Sequence, residues 1–144
     1  LEGSPSPGHA MAPRPPAPPP PPLPTDGELR LLRVLWANGA STVREVHDTV
    51  APTTGAGYTT VLKLLQIMHG KGLVIRDERD RTHRYAAAIP PERTQQALVA
   101  DLAERAFGGS AAQLALHALG ARGASADELA QLRQLLDRLE RGRR

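Results

Sequence analysis

Apolar residues recur every three or four positions directly after residue 24, which is typical of an amphipathic helix. The members of this first stripe are Leu29, Leu32, Leu35 and Trp36. Thr25 is followed three residues later by Glu28, which is the spacing of a capping box, so the helix is predicted to begin there. Asn38-Gly39 is predicted to end it, because glycine commonly follows the last helical turn.

Two further stripes predict two more helices. The second stripe is short and consists of Val43, Val46 and Val50. Ser41 or Thr42 is predicted to cap this helix, and the helix should end before Pro52, since proline lacks an N–H and disrupts the preceding turn. The third helix is predicted from about Thr59 to Gly70, with one apolar and one mainly polar face. The apolar face holds Val61, Leu64, Leu65 and Met68, and the opposite face holds Thr59, Thr60, Lys63, Gln66 and Ile67.

The period then changes to two, which predicts a β-hairpin. Its strands are the runs Leu73 to Glu78 and Thr82 to Ala87, and its basic residues are Arg76, Arg79, Arg81, His83 and Arg84. Three helices followed by a basic hairpin is the order of a winged helix-turn-helix. In that fold the third helix enters the DNA major groove and the hairpin, or wing, lies along the backbone.

The last third of the chain is also predicted to be helical. One helix should run from Pro90-Pro91 to Phe107, a short apolar one should cover AAQLALHAL, and the last should begin at the capping pair Ser125 and Glu128. These helices carry more leucine than they can hide singly, which indicates either a dimer interface or an intrachain helical cap. The dimer is favoured. The residues predicted to form it are Leu102, Phe107, Leu116, Leu129, Leu132, Leu136 and Leu139.

The fold class is therefore predicted to be mainly α with a small β-hairpin, in three segments. Residues 1–24 are expected to be a tag remnant, with Met11 a plausible natural start, followed by a disordered proline-rich arm, since proline fixes φ and removes a donor. Residues 25–89 are expected to form the winged helix-turn-helix. Residues 90–144 are expected to form the helical dimerisation domain.

Composition excludes several kinds of chemistry. The chain has 144 residues, a net charge of +3 and no cysteine, so disulfides and thiolate metal sites are impossible. The four histidines beyond His9 lie on different predicted elements without helical metal-ligand spacing, and no nucleophile motif is present. We therefore expect no enzyme, no catalytic residue, no metal site and no cofactor. No apolar run is long enough to span a membrane, so a cytoplasmic location without membrane insertion is expected.

The polar face of the third helix has the right chemistry for DNA. Lysine donates to guanine, glutamine pairs with adenine, and threonine offers a hydroxyl and a methyl group. The hairpin arginines suit phosphates, which position a protein without carrying sequence information. From the pattern alone, a merely solvated helix beside a solvated hairpin is an equal alternative.

Specific motifs favour the DNA-binding interpretation. The run GYTTVLKLLQIMHGKGLVIRDERDRTHRYAA, with LRLLRVLWANGASTVREVHDTV upstream, resembles the BlaI/MecI/CopY family of penicillinase repressors. The resemblance implies a homodimeric transcriptional repressor on an inverted-repeat DNA operator. It implies groove contacts from the third helix and backbone contacts from the wing, while Ile67 stands where many relatives carry arginine. The residues predicted to contact DNA are Thr42, Tyr58, Thr59, Thr60, Lys63, Gln66, Ile67, Arg81, His83 and Arg84.

The resemblance leaves the inducing signal open. In antibiotic-responsive members a membrane sensor protease cleaves an Asn-Phe bond in the helix corresponding to LALHAL, and here His117-Ala118 occupies that place. Copper-responsive members use cysteine pairs, which this chain lacks. Two alternatives remain: a winged-helix module that binds a protein partner, and a winged-helix regulator that senses a small molecule or metal.

Overall fold

The computed structural model describes residues 19–143, which divide into two compact units between Ile89 and Pro90. The expected tag remnant and most of the proline-rich arm lie outside the described residues. The first unit contains three helices and three short strands. In chain order they are α1 (Asp26–Asn38), β1 (Ser41–Thr42), α2 (Val43–Thr54), α3 (Tyr58–Lys71), β2 (Val74–Asp77) and β3 (Arg84–Ala87). This order confirms the predicted winged helix.

One apolar core joins the three helices to the sheet. All three helices contribute an apolar stripe, and the hairpin contributes the side chains at its base. In α1 the buried stripe differs in part from the predicted one. Leu32 and Leu35 are buried as predicted and Leu31 and Val34 are buried as well, whereas Leu29 and Trp36 are only partly buried. The buried members are Leu31, Leu32, Val34, Leu35, Val43, Val46, Val50, Val61, Leu65, Met68, Leu73, Val74 and Tyr85. Trp36 packs at the edge of this core and its indole Nε1 donates to the carbonyl of Ile89 at 3.0 Å. This bond closes the end of the first unit onto α1.

The predicted capping boxes begin α1 and α2. In the first, Thr25 Oγ1 accepts the Glu28 amide at 3.2 Å and Glu28 Oε1 accepts the Thr25 amide at 2.9 Å. In the second, Thr42 and Glu45 exchange the same two bonds at 3.1 and 2.8 Å. Thr42, rather than Ser41, is therefore the cap of α2, and it fixes where this helix starts.

The prediction that α2 ends before Pro52 is wrong. The helix continues through Pro52 to Thr54 and is closed by Gly55 at a φ of 70°, a conformation that favours glycine. Two hydrogen bonds close the turn that follows Pro52: the Thr54 hydroxyl donates to Val50 O at 2.8 Å, and the Gly55 amide donates to Ala51 O at 2.8 Å. Residues 52–54, which that prediction excluded from the helix, form its last turn.

The sheet differs from the predicted hairpin in two ways. A third strand, β1, pairs antiparallel with β3, so the strand order is β1-β3-β2. The hairpin strands are also shorter than predicted, with Thr82 and His83 in the connection rather than in a strand. Asp77 accepts the Arg79 amide at 3.0 Å, a local bond that turns the chain just after β2.

The second unit consists of three helices, α4 (Pro91–Ala106), α5 (Ala111–Arg122) and α6 (Ala126–Gly142). α5 continues through Gly120 to Arg122, one turn beyond the predicted AAQLALHAL segment. Ser125 and Glu128 form the predicted capping box of α6. No residue of α5 or α6 within the described range is buried. This unit therefore lacks the central core that the first unit has.

Candidate nucleic-acid interface

The polar face of α3 is solvent-exposed along its whole length. Thr59, Thr60, Lys63, Gln66 and Ile67 are all exposed, whereas Val61, Leu65 and Met68 on the other side are buried. At about 100° per residue, Thr59 and Lys63 lie at the centre of this face. Gln66 lies on the side towards the hairpin, and Thr60 and Ile67 lie on the side away from it. The face thus presents hydroxyl, amide, ammonium and one apolar group together.

A groove runs between the start of α2, the side of α3 and the hairpin. Thr42, Tyr58, Gln66, Arg81 and His83, which were predicted separately from distant parts of the sequence, all line it. Thr42 already accepts the Glu45 amide, which leaves its hydroxyl hydrogen available to a ligand. Gln66 lines the groove and also lies on the exposed face of α3, so the two surfaces are continuous.

Two arginines of the groove, Arg44 and Arg76, were absent from the predicted contacts. Arg44 follows the Thr42 cap by two residues, and its position beside the hairpin depends on how α2 packs. Arg76 had been recognised as a basic hairpin residue, and the alternation of β2 turns its side chain into the groove. The alternation of side chains along the predicted strand is the sequence signal that points to Arg76. No such signal points to Arg44.

Ion pairs divide the basic hairpin residues into two groups. Arg79 binds Asp77 through two nitrogens at 2.7 and 3.0 Å, and these hydrogen bonds lower the pKa of Asp77 to about 2. Arg76 lies 2.9 Å from Glu78, and its hydrogen bonds to Tyr85 and Glu78 raise its pKa. Arg84 lies 3.4 Å from Glu45, which is a weak contact.

Arg81 and His83 form the second group, since neither has an acidic partner among residues 19–143. Both are exposed and face the groove. The side chains of Arg81 and His83 are therefore available to bind an anion, whereas the charge of Arg79 is paired with Asp77. The sequence prediction already includes Arg81 and His83, and the structure adds that Arg79 is occupied by an ion pair.

The residues predicted for dimerisation lie on the three helices of the second unit. Leu102, Leu116, Leu129, Leu136 and Leu139 are 41–62% exposed. Phe107 and Leu132 are half-buried, and the Phe107 ring lies 5.3 Å from that of His117. Val99 and Leu135 are exposed apolar residues of the same unit that were not included in the prediction. The function of these side chains stays a prediction.

Residues 19–143 contain neither a candidate metal site nor a helix suited to spanning a membrane. That part of the chain holds no cluster of three or more side chains suited to binding a metal ion. None of its helices has the length and apolar character needed to span a bilayer.

A winged helix with an exposed polar third helix and a basic groove beside it has the architecture of a DNA-binding transcriptional regulator. A family model described as penicillinase repressor matches residues 24–138. This chain therefore belongs to the penicillinase repressor family. It is a transcriptional repressor with a DNA-binding winged-helix domain, and membership of this family of regulators confirms that it is not an enzyme.

Two relatives from Mycobacterium tuberculosis agree with this assignment. The chain is 34% identical over 118 residues to the transcriptional regulator BlaI of two Mycobacterium tuberculosis strains, CDC 1551 and H37Rv, covering 81% of this chain and 85% of each relative. It is also similar to the solution structure of the Bacillus licheniformis BlaI monomeric form in complex with the blaP half-operator. That match has 22% identity and a TM-score of 0.46, over 51% of this chain and 89% of the other.

Proposed function

We propose that this repressor acts as a homodimer on an inverted-repeat operator, with α3 of each copy in a major groove. The observation that carries the proposal is the continuous surface formed by the exposed α3 face and the groove beside it. An α-helix fits the major groove, and the adjacent wing then follows the sugar-phosphate backbone. The proposal also implies that the protein acts in the bacterial cytoplasm, where the operator DNA lies.

The α3 face supplies the proposed base contacts. Lys63 and Thr59, at its centre, approach the base edges most closely, while Thr60 and Gln66 flank them. Lysine suits guanine and glutamine suits adenine. Ile67 contributes an apolar surface that suits a thymine methyl group. Bases in each half-site are thereby read by both polar and apolar contacts.

The groove residues supply the proposed phosphate contacts. Arg81 and His83 have no acidic partner in the described part of the chain, so no ion pair must break before they bind DNA. Arg84 gives up only a contact of 3.4 Å with Glu45. Thr42 and Tyr58 offer hydroxyls at the starts of α2 and α3. Contacts of this kind fix the orientation of α3 without reading sequence.

The leucines of the second unit support the proposed dimer. Leu129, Leu136 and Leu139 project from one side of α6, with Leu132 between them, and burying this stripe against a second copy removes exposed apolar area from water. A dimer also makes binding of the second half-site effectively intramolecular, which multiplies the affinity for an inverted repeat.

Release of repression by a membrane sensor protease stays a prediction from the family resemblance. The corresponding position, His117-Ala118, lies within helix α5, and the His117 ring contacts Phe107. A protease that cleaves there would need a specificity other than Asn-Phe.

Lys63→Ala and Arg81→Ala test the proposed groove and backbone roles. Lys63→Ala should weaken binding to a selected operator more than to random-sequence duplex, because it removes a base contact. Arg81→Ala should weaken both equally and lower the salt slope, the change in log K with log salt concentration, by about 0.9. Binding titrations by fluorescence anisotropy at several salt concentrations measure both effects.

The control is Arg33→Ala, which removes an exposed arginine of α1 outside the groove. If both test variants bind operator like the parent and the control, the assigned interface is wrong. If the parent shows no salt-dependent duplex binding at all, the alternative of a protein-interaction module is favoured instead.

A further inference from the structure

One arginine and one tyrosine at the entrance of the groove form a stacked pair. The guanidinium carbon of Arg44 lies 5.4 Å from the ring centroid of Tyr58, within the range of a cation–π contact. The His47 ring approaches Tyr58 edge-on, with 6.1 Å between centroids and 61° between planes. Tyr58 is still 41% exposed, so both the guanidinium and the ring remain accessible.

Arg44 carries a charge that no residue between 19 and 143 neutralises by an ion pair. The nearest acids in sequence are engaged elsewhere. Glu45 accepts the Thr42 amide at 2.8 Å and lies beside Arg84, and Asp48 bonds His47 Nδ1 at 3.1 Å. The guanidinium edge of Arg44 therefore keeps its donors for a ligand.

The dipole of α2 does not favour Arg44 at its position. It lies in the first turn of α2, where the helix dipole is positive and a cation is unfavourable. Tyr58 begins α3, whose first turn contains no acidic residue and whose cap, Gly57, makes no side-chain cap hydrogen bond. The uncapped start of α3, an unpaired guanidinium and a tyrosine hydroxyl thus lie together at one end of the groove.

We propose that Arg44, held in place by Tyr58, binds a phosphate of the DNA backbone at the point where α3 enters the major groove. This inference rests on the proposed function, since it requires α3 to lie in that groove. Arginine presents a planar donor fork that matches a phosphate, and stacking on an aromatic ring limits its rotamers before the ligand arrives. Arg81 and His83 bind the DNA backbone from the hairpin side, so residues at both ends of the groove contact phosphates.

The test uses the full chain and a random-sequence duplex, because a phosphate contact is independent of sequence. Arg44→Ala should weaken duplex binding roughly 10-fold at moderate salt and lower the salt slope by about 0.9. Arg44→Lys should keep the slope and lose part of the affinity, since it keeps the charge but not the fork. Arg33→Ala is the matched control, and thermal melting verifies that each variant folds.

A double-variant cycle tests the role of Tyr58. Tyr58→Phe removes the hydroxyl alone, and Tyr58→Leu removes the hydroxyl and the ring. If the ring holds Arg44, the extra loss of affinity of Tyr58→Leu over Tyr58→Phe should be much smaller in the Arg44→Ala background than in the parent. Fully additive losses would overturn the positioning role of Tyr58. Equal binding by Arg44→Ala and the parent, with Arg81→Ala still weakened, would overturn the role of Arg44 while leaving the proposed function intact.

Inorganic phosphate separates the backbone from a free anion as the source of the ligand. We expect millimolar phosphate to shift the melting temperatures of the parent and of Arg44→Ala by the same amount. Specific stabilisation of the parent by phosphate, with duplex binding insensitive to Arg44→Ala, would instead identify a free-anion site and overturn the proposal.

Discussion

At the scale of single residues, Glu28 links local and long-range structure. The sequence predicts its role in the capping box, because Thr25 lies three residues before it. It does not predict Lys71, 43 residues away, whose Nζ lies 2.7 Å from the buried carboxylate. Burial alone would raise the pKa of Glu28, but the hydrogen bonds from Lys71 and Thr25 outweigh it and lower the pKa.

Glu28→Ala should lower the free energy of unfolding by about 1–3 kcal/mol, since it removes a cap and a partly buried ion pair. Glu45→Ala removes an exposed cap and a weak contact with Arg84, and it should cost less. Because the pKa of Glu28 is lowered in the fold, its contribution is complete above about pH 4.5 and is lost as pH falls through the lowered value. Denaturant unfolding followed by the fluorescence of the single tryptophan, Trp36, measures this. Equal costs for both variants at pH 7 would contradict it.

Ile67 is the apolar residue on the α3 face that otherwise consists of polar groups, and it is 44% exposed. The sequence shows both the position and the departure from relatives that carry arginine there. The contribution of Ile67 to DNA recognition depends on the base that it contacts. That base is determined by how the protein binds DNA, which the local sequence pattern does not show.

Ile67→Arg should strengthen binding to random-sequence duplex and raise the magnitude of the salt slope by about 0.9, because it adds a phosphate contact. The matched control is Ile75→Arg on β2, which adds the same charge at another exposed isoleucine, on the opposite face of the strand from Arg76. Anisotropy titrations should show a gain for the first variant alone. An equal gain for both would show that only net charge matters.

At the scale of elements, the helices follow the sequence pattern better than the strands do. The capping boxes and the core stripes of α2 and α3 depend on neighbours within a few residues, so the pattern predicts them. The stripe of α1 was predicted only in part, because Leu31 and Val34 are also buried. Two-residue β1 carries no periodicity, and it is a strand only because β3 lies beside it. The end of α2 was mispredicted because Pro52 removes one N–H only, and the Thr54 hydroxyl and the Gly55 amide still close the turn that follows it.

Pro52→Ala should therefore raise the free energy of unfolding by about 1–3 kcal/mol, because proline is unfavourable inside a helix. Greater freedom of the unfolded chain reduces this gain, by about 0.4–1 kcal/mol. Trp36 fluorescence in denaturant titrations again measures the change. A loss of stability would mean that Pro52 is needed to position the loop before α3.

At the scale of the whole molecule, the candidate site is assembled from three parts of the chain. The start of α2, the side of α3 and the hairpin meet in one groove, so Arg44 and Arg76 join the predicted residues only after folding. The resemblance predicted five of the residues that line the groove, but the ion pair that occupies Arg79 and the absence of one at Arg81 in the described residues required coordinates. The second unit leaves its leucines exposed, which a second copy would cover.

Leu136→Glu should convert the proposed dimer into a monomer, because it places a charge within the leucine stripe of α6. Operator affinity should fall roughly 100-fold, while binding to a single half-site should remain unchanged. Gln134→Glu, about 160° away around α6, is the control and should remain dimeric. Sedimentation velocity gives the mass of each variant. A Leu136→Glu protein with the mass of a dimer would contradict the proposed interface.

Selection of bound sequences from a random duplex library, with the full chain as the binding protein, tests the central claim most directly. A dimer that places two α3 helices in successive major grooves should enrich an inverted repeat with half-sites about 10 base pairs apart, or a multiple of that. Lys63→Ala should blur the bases within each half-site without changing their spacing. Failure to enrich any sequence, or enrichment of a single unrepeated site, would contradict the account.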